Sequence, residues 1–248
     1  MLISSPRHTP ADLALWAEYE EADRAYSHMP RLARKVTRSM AVLREFLAAG
    51  KSYGGVSHGK DSTVLWHLLY MVGGCDLVHL RPSNHNPDCD LVRDDLLHRW
   101  PMAYSEVPID YGDLHVRRLP DHVLDKLTDE RWYAAIRNAG EPYAGRHILG
   151  IRADESGGRK IRMLRWGESS PNACAPIGWW TTQDVFSYLA LHDLPVHPAY
   201  ACLGGGRWPR DRLRVAEIGD THGKGGGRSE WEREYYPTAG CRGGSGQC

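Results

Sequence analysis

The residues best equipped for chemistry in this sequence form one run, Gly54-Gly55-Val56-Ser57-His58-Gly59-Lys60-Asp61-Ser62-Thr63. Its glycines let a backbone approach an anion, Ser57 and Ser62 offer hydroxyl donors, and Lys60 adds a positive charge. Set between a strand and a helix, such a run presents unpaired N–H groups at the helix start, where the helix dipole also favours negative charge. The chemistry is therefore phosphate or pyrophosphate binding. Gly54 and Gly59-Lys60 have Walker A spacing, but Asp61 stands where that pattern needs the Ser or Thr that binds Mg²⁺. An acid in an anion site implies a metal-bridging or loop-organising role, which makes Asp61 the candidate Mg²⁺ residue.

A second constellation, Gly150-Ile151-Arg152-Ala153-Asp154-Glu155-Ser156-Gly157-Gly158-Arg159, follows a predicted strand. Open α/β sheets place their ligands just past the C-terminal ends of parallel strands. Arg152 and Arg159 are bidentate donors of fixed charge suited to phosphate or sulfate, and Lys160, Arg162 and Arg165 extend the positive region. The competing reading is a solvated loop whose arginines pair with Asp154 and Glu155. Cys75, His79, His85 and Cys89 have a spacing that formally permits zinc. A strand separates Cys75 from His79, so a buried Cys75 with His85 near a nucleotide base is the preferred account. Cys241 and Cys248 are a nucleophile with its resolving thiol, a disulfide, or two idle thiols. Arg207, Arg210, Arg212 and Arg214, interleaved with Trp208, read either as a nucleic-acid contact or as a solvated rim. Trp179 and Trp180 read as packing residues.

The first run resembles the pyrophosphate loop, Ser-Gly-Gly-Lys-Asp-Ser, of the adenine nucleotide alpha-hydrolase superfamily, with His58 in place of one glycine. Further matches follow in order. They are Arg152 to Ser156 with Arg159, then Ala175-Pro176-Ile177, Trp180-Thr181, Asp184-Val185, Leu194-Pro195, His197-Pro198 and Ile218-Gly219-Asp220-Thr221-His222. Together these are similar to the sulfonucleotide (PAPS) reductase family. The resemblance implies an adenine-nucleotide-binding α/β fold with the phosphates on Ser57, His58, Gly59, Lys60, Asp61 and Ser62. It places Arg152, Arg159 and His222 around the reacting end.

What the resemblance implies for the reaction divides in two. The family's reductases attack the nucleotide's sulfur with a C-terminal cysteine, then need a thioredoxin-type thiol to release sulfite; the matching residue is Cys241, with Arg242 beside it to favour the thiolate. The family's Glu, Leu and His around that cysteine are absent here. The intact loop instead has the form associated with ATP cleavage between the α and β phosphates, which activates a substrate for sulfur transfer among other ends. ATP cleavage is the favoured reading, PAPS reduction through Cys241 the alternative, and a catalytically silent nucleotide-binding subunit the third. The substrate is accordingly ATP or PAPS, with Mg²⁺ accompanying ATP. With neither an adjacent cysteine pair nor C-x-x-C, no iron–sulfur cluster is expected. The implied partners are the adenine nucleotide and a sulfur-donor or thioredoxin-type protein. A homo-oligomer is admitted, nucleic acid is left open, and no membrane is expected.

These residues need elements to position them. Leu32, Val36, Met40, Leu43 and Leu47 share one helical face, with Gly50 placed to end that helix. A strand over 52–57 precedes a helix over 62–72 carrying Val64, Leu65, Leu68, Leu69 and Val72. Strands over 77–80, 103–107 and 147–151 alternate with helices over 88–99 and 129–138. Thr181 and Asp184 suit the capped start of a helix reaching about residue 192. Alternating strands and helices imply βαβ units, hence a mostly parallel twisted sheet with flanking helices. The expected division is a helical N-terminal extension (1–50), a nucleotide-binding α/β domain (51–200) and a glycine-rich C-terminal tail or lid (201–248).

The 248 residues suffice for a sizeable core, and 31 basic against 31 acidic residues give zero formal net charge. That balance argues against non-specific electrostatic binding to nucleic acid or anionic membranes. The apolar stretch over 64–72 is too short to span a bilayer, and the first ten residues lack a leader's apolar run. Six cysteines without dense spacing do not form a disulfide framework. The expectation is a soluble cytoplasmic α/β protein.

Overall fold

The computed structural model describes residues 1–111, 121–213, 215–218 and 228–237. Along these the chain runs α1 (Pro10–Ser27), α2 (Pro30–Ala48), β1 (Tyr53–Gly55), α3 (Lys60–Val72), β2 (Asp76–Pro82), α4 (Asp88–Arg99) and β3 (Tyr104–Ile109). It continues through α5 (Asp121–Gly140), β4 (His147–Leu149), α6 (Gly157–Trp166), β5 (Ala173–Cys174), α7 (Thr182–Leu191) and α8 (Arg228–Tyr235). The sheet order is β3-β2-β1-β4-β5, and every pairing is parallel. The expected parallel α/β sheet is therefore present. No helix among the described residues is long and apolar enough to cross a membrane.

The chain direction reverses beside β1, which pairs with β2 on one side and β4 on the other. Alternation along β2 sends Leu77 into the main core and Val78 into a second cluster beneath α5. Helix α3 is buried almost all round, with Val64, Leu65, Leu68 and Leu69 inaccessible. Such a helix needs cover on several sides, and α2 and α7 supply it. Gly54 lets α3 approach, since a Cβ there would lie 2.5 Å from a Leu69 methyl.

The ends of α1, α2 and α7 follow from local chemistry. Thr9 caps α1 by accepting from the Asp12 N–H at 3.1 Å, and Pro10 and Pro30 occupy first helical positions. Thr181 and Asp184 form a reciprocal capping box at α7, as their spacing predicts. The predicted stripe of α2 faces the core, Leu32 and Leu43 fully and Val36, Met40 and Leu47 in part.

Three regions differ from expectation. Residues 1–50 are helical but integrated: Trp16 packs edge-on against Phe186 of α7 at 6.0 Å, and Leu2 bridges Val196. Residues 201–213 are not an irregular tail. The inaccessible Asp12 carboxylate accepts the N–H groups of Leu203 (3.2 Å) and Gly205 (2.9 Å), folding the glycines into a turn around it. Trp231 of α8 is buried and donates to the Cys202 carbonyl at 3.0 Å. Glycine content concealed the tryptophans and tyrosines that anchor this segment. Finally, the interleaved arginine run does not form an exposed patch. Arg210 lies inside, bonded to Asp23 at 2.7 and 2.8 Å, Trp208 is buried, and Arg207 pairs with Glu230 and Glu234. Arg214 lies outside the described residues.

Buried histidines make this core acid-labile. Burial, helped by His192 and Arg99, pulls His67 down to about 4, and burial with Arg7 pulls His197 down to about 3. Unfolded histidine titrates near ~6.5. Below that pH the unfolded chain takes up protons that the folded chain refuses, so this stability is present above about 6.5 and lost as pH falls towards the folded values. Urea denaturation should show stability falling by about 1.4 kcal/mol per pH unit for each such histidine between about pH 6 and 5. His67→Gln should flatten that slope; an unchanged slope would remove His67 from the account.

Candidate functional site

The two predicted constellations lie at the C-terminal ends of β1 and β4, neighbouring strands on either side of the reversal in chain direction. This is the crevice where open parallel sheets bind ligands. The phosphate-loop run leaves β1 and turns into α3, with Gly59 capping the helix in extended conformation. His58 occupies a left-handed conformation, φ +58°. A non-glycine residue there is strained, which accounts for glycine at this place in the loop it resembles.

Lys60, Asp61 and Arg152 form a linear charge chain. The Lys60 ammonium lies 2.8 Å from Asp61 Oδ2, and Arg152 Nε donates to Asp61 Oδ1 at 2.6 Å. Burial works against each charge. For Asp61, Lys60 and Arg152 outweigh it, and the carboxyl lies below the usual carboxylate range. For Lys60, Asp61 and then Tyr200 outweigh it and hold the ammonium charged; for Arg152, Asp61 and Glu155 do the same. Arg152 is only 1% exposed and also reaches Asp154 Oδ2 at 3.3 Å, Thr182 Oγ1 at 3.3 Å and the Trp180 carbonyl at 3.4 Å. Gly150 makes the meeting of the strand ends possible, because a Cβ there would lie 2.9 Å from the Asp61 carbonyl oxygen.

A cavity of about 570 Å³ opens over this chain, within the range of small-molecule sites. One end is polar, with Ser57, Gly59, Lys60, Asp61 and Ser62; Glu155, Arg159 and Glu217 also reach it. The remainder is largely apolar and aromatic, formed by Tyr53, Trp132, Ile136, Leu149 and Ile151 with His147. Tyr200 completes the wall. Its hydroxyl accepts the Lys60 N–H at 3.2 Å, and its ring lies 5.7 Å from the Lys60 ammonium.

Ser57, Gly59, Lys60, Asp61, Ser62 and Arg159 thus converge on one cavity. Two other sequence candidates do not line it. Arg152 sits behind Asp61 rather than on the wall, because its guanidinium is consumed by internal acceptors. His58 is turned inward, its ring 4.5 Å from that of His79. Burial, then His79, Arg93 and His85, hold His58 well below the ordinary imidazole range. Arg159 is paired with Glu155. His222, Cys241 and Cys248 lie outside the described residues. Cys75 is buried at the far end of β2, its thiol 3.6 Å from the Ser52 carbonyl, and His85 faces Asp90 at 3.4 Å rather than the cavity. No group of three or more His, Cys, Asp or Glu side chains among the described residues could hold a metal ion. A metal here would therefore depend on substrate oxygens for most of its ligands. Oxygen donors are what the wall offers, from Asp61, Ser57 and Ser62, and that set suits Mg²⁺, which commonly binds through one or two carboxylates plus phosphates.

Sequence reasoning missed Tyr200, Gly150, Tyr53, Trp132, Val215 and Glu217. Tyr200 had a usable signal two residues beyond the His197-Pro198 pair. Trp132 and Glu217 carried none, since only the crossover connections bring them to the cavity.

The phosphoadenosine phosphosulfate reductase domain model matches residues 54–243. A phosphoadenosine 5'-phosphosulfate reductase of Xanthomonas axonopodis pv. citri is 27% identical over 114 residues, covering 46% of this chain and 44% of the relative. One from Gloeobacter violaceus is 26% identical over 151 residues, covering 57% and 62%. The chain thus spans less than two thirds of these curated relatives. Among solved structures, phosphoadenylyl-sulfate (PAPS) reductase from Candida auris superposes with TM-score 0.50 at 15% identity, covering 72% of this chain and 87% of that one. That likeness shows the shared fold.

The close approach at Gly150 has a direct test. Gly150→Ala drives a methyl against the Asp61 backbone, so the loop must shift; overpacking of this kind costs about 1–3 kcal/mol. Calorimetric titration with inorganic pyrophosphate should show affinity falling at least about tenfold, the equivalent of ~1.4 kcal/mol. Gly157→Ala, which meets nothing within 4 Å, should bind like the parent. Equal binding by both variants would dissociate the β4 end from the anion site.

Proposed function

We propose, since this chain belongs to the phosphoadenosine phosphosulfate reductase domain family, that it is an enzyme that binds ATP and cleaves it between the α and β phosphates to activate a substrate. The observation that carries this reading is Asp61, an ionised carboxylate on the wall of an anion site. A carboxylate facing phosphates is repulsive unless a cation lies between them. Each Asp61 oxygen already accepts from one protein cation and keeps a further lone pair. Asp61 and the loop hydroxyls would hold Mg²⁺ against the phosphates, where it would neutralise charge developing on the leaving pyrophosphate.

The chain's own residues do the rest. Ser57, Ser62, the Lys60 ammonium and the unpaired N–H groups of the first turn of α3 grip the β and γ phosphates. Adenosine lies against Tyr53, Trp132 and His147. Arg159 faces the transferring group, and Arg152 is a positioning residue that fixes Asp61. When the acceptor's nucleophile takes the adenylyl group, the α–β phosphoanhydride bond breaks, pyrophosphate departs with its electron pair, and the acceptor's proton is released.

The names of the curated relatives favour a second reading, reduction of PAPS to sulfite. There a thiolate attacks sulfur, the S–O bond to phosphate breaks, and a thioredoxin-type dithiol reduces the enzyme-bound thiosulfonate to release sulfite. The described cysteines suit this poorly. Cys75, Cys89, Cys174 and Cys202 are buried, and burial pushes their thiols up, to about 12 for Cys75, Cys174 and Cys202. That leaves Cys241 as its nucleophile.

Calorimetry with ATP–Mg²⁺ and with PAPS on one preparation separates the readings. The expected result is ATP–Mg²⁺ binding at least about tenfold tighter than PAPS, lost in Lys60→Ala, with pyrophosphate release insensitive to Cys241→Ser. Tighter PAPS binding, with sulfite release abolished by Cys241→Ser, would overturn it in favour of the reductase. ATP binding with no turnover in the presence of candidate acceptors would favour a silent subunit.

A further inference from the structure

We propose that the outer face of α6 is a docking surface for an acidic, amphipathic helix of a partner protein. Of the ten residues in α6, only Met163 is buried. Ile161, Leu164 and Trp166 are 67%, 69% and 58% exposed, and Ile161 and Leu164, three apart, are neighbours on the helix surface. Large aliphatic residues this exposed on consecutive turns of a helix signify a contact more often than chance exposure does.

The surroundings say what kind of contact. Helix α6 carries Arg159, Lys160, Arg162 and Arg165 and no acid. Glu155 takes Arg159, while no ion pair joins Lys160, Arg162 or Arg165 to a carboxylate among the described residues. The positive surface continues onto α2, whose Arg31, Arg34 and Arg38 are exposed; Arg38 reaches Glu168, just past the end of α6, at 2.6 Å. Between them a depression of about 360 Å³ is bounded by Arg162, Trp166 and Glu168. In a chain of zero net charge, this is a segregated cationic face around an apolar stripe. An apolar centre with a charged rim, rich in Arg and Trp, is the anatomy of a protein interface.

The occupant must be acidic and apolar at once. The chain's own stretches outside the described residues, 112–120, 219–227 and 238–248, contain at most one acidic residue each, so none complements this face. A nucleic acid would satisfy the cations and stack on Trp166, but it would leave Ile161 and Leu164 against sugar and phosphate. A helix with Leu or Ile on one side and Glu or Asp beside them satisfies both features. The N-terminal end of α6 carries Arg159, which lines the main cavity, so a helix docked here lies beside the cavity mouth.

The test uses the full chain and a fluorescent helical peptide of about twenty residues, Leu on one face and Glu elsewhere. Its comparators are a scrambled isomer and a single-stranded oligonucleotide of similar length. Anisotropy should show the ordered peptide binding at least about tenfold tighter than either. Leu164→Glu should abolish the difference. The double variant Arg162→Glu, Arg165→Glu should lose the acidic peptide and gain its Lys-for-Glu counterpart. Because all three positions are exposed, these variants should melt with the parent, and the charge swap is a gain that misfolding cannot mimic. Equal binding of the scrambled peptide would reduce the surface to unspecific charge and overturn the proposal. So would tighter binding of the oligonucleotide through the same residues, or self-association in sedimentation that Leu164→Glu abolishes, which would make the occupant a second copy.

Discussion

The structure is organised around one carboxylate held between two cations. Asp61 joins Lys60, at the start of α3, to Arg152, just beyond β4, and so ties together the ends of two strands that diverge in chain direction. At this burial each ion alone would be costly; together, with hydrogen bonds to the remaining donors of Arg152, they are tolerated. The arrangement needs close contact of two backbones, which only glycine at position 150 permits. The cavity exists because this tie sets the width of the crevice.

Much of the remaining chain holds that tie in register. Helix α3 cannot shift, since it is buried nearly all round, and its first turn carries Lys60 and Asp61. Thr182, at the start of α7, donates through its backbone to Asp154 at 3.2 Å and receives Arg152 at its hydroxyl, so the capping box at Thr181 and Asp184 indirectly orients the guanidinium. From the opposite side, Tyr200 and Val215 close on Gly59 and Lys60. Their segment is fastened to α1 by Asp12 and by the Arg210–Asp23 pair. The first and last parts of the chain thus act as clamps on the crevice.

This explains what could be read from sequence and what could not. Periodicity gave the strands and the helices at 30–48, 60–72, 88–99 and 182–191 because burial there follows the 3.6- and 2-residue repeats. The phosphate-loop residues were legible because a local turn brings them together. Helix α6 was missed because Gly157-Gly158 masks its start and because its stripe faces outward, so no core pattern marks it. The packed stretch after Pro198 was missed because glycine frequency was read as looseness, whereas Gly204 and Gly205 serve a turn around a buried carboxylate. Arg152 was read as a ligand because sequence shows its charge but not its neighbours. Whether an arginine faces substrate or supports a carboxylate is decided by a partner 91 residues away.

That distinction changes how the anion site must work. With Arg152 committed to Asp61, the cations facing the cavity are Lys60 and Arg159, and each already has a carboxylate partner, Asp61 and Glu155. A nucleotide entering this cavity therefore meets paired rather than bare charge. Its phosphates can be held only by competing for Lys60 and Arg159 or by bringing cations with them. In the first case binding would loosen the tie between β1 and β4 on which the crevice depends. In the second the tie survives, and Asp61 changes from an obstacle into a ligand. A charge chain balanced before the nucleotide arrives thus favours a nucleotide that arrives already accompanied by a divalent cation. Such a cation lets Asp61 keep both of its protein partners while turning its remaining lone pairs towards the substrate.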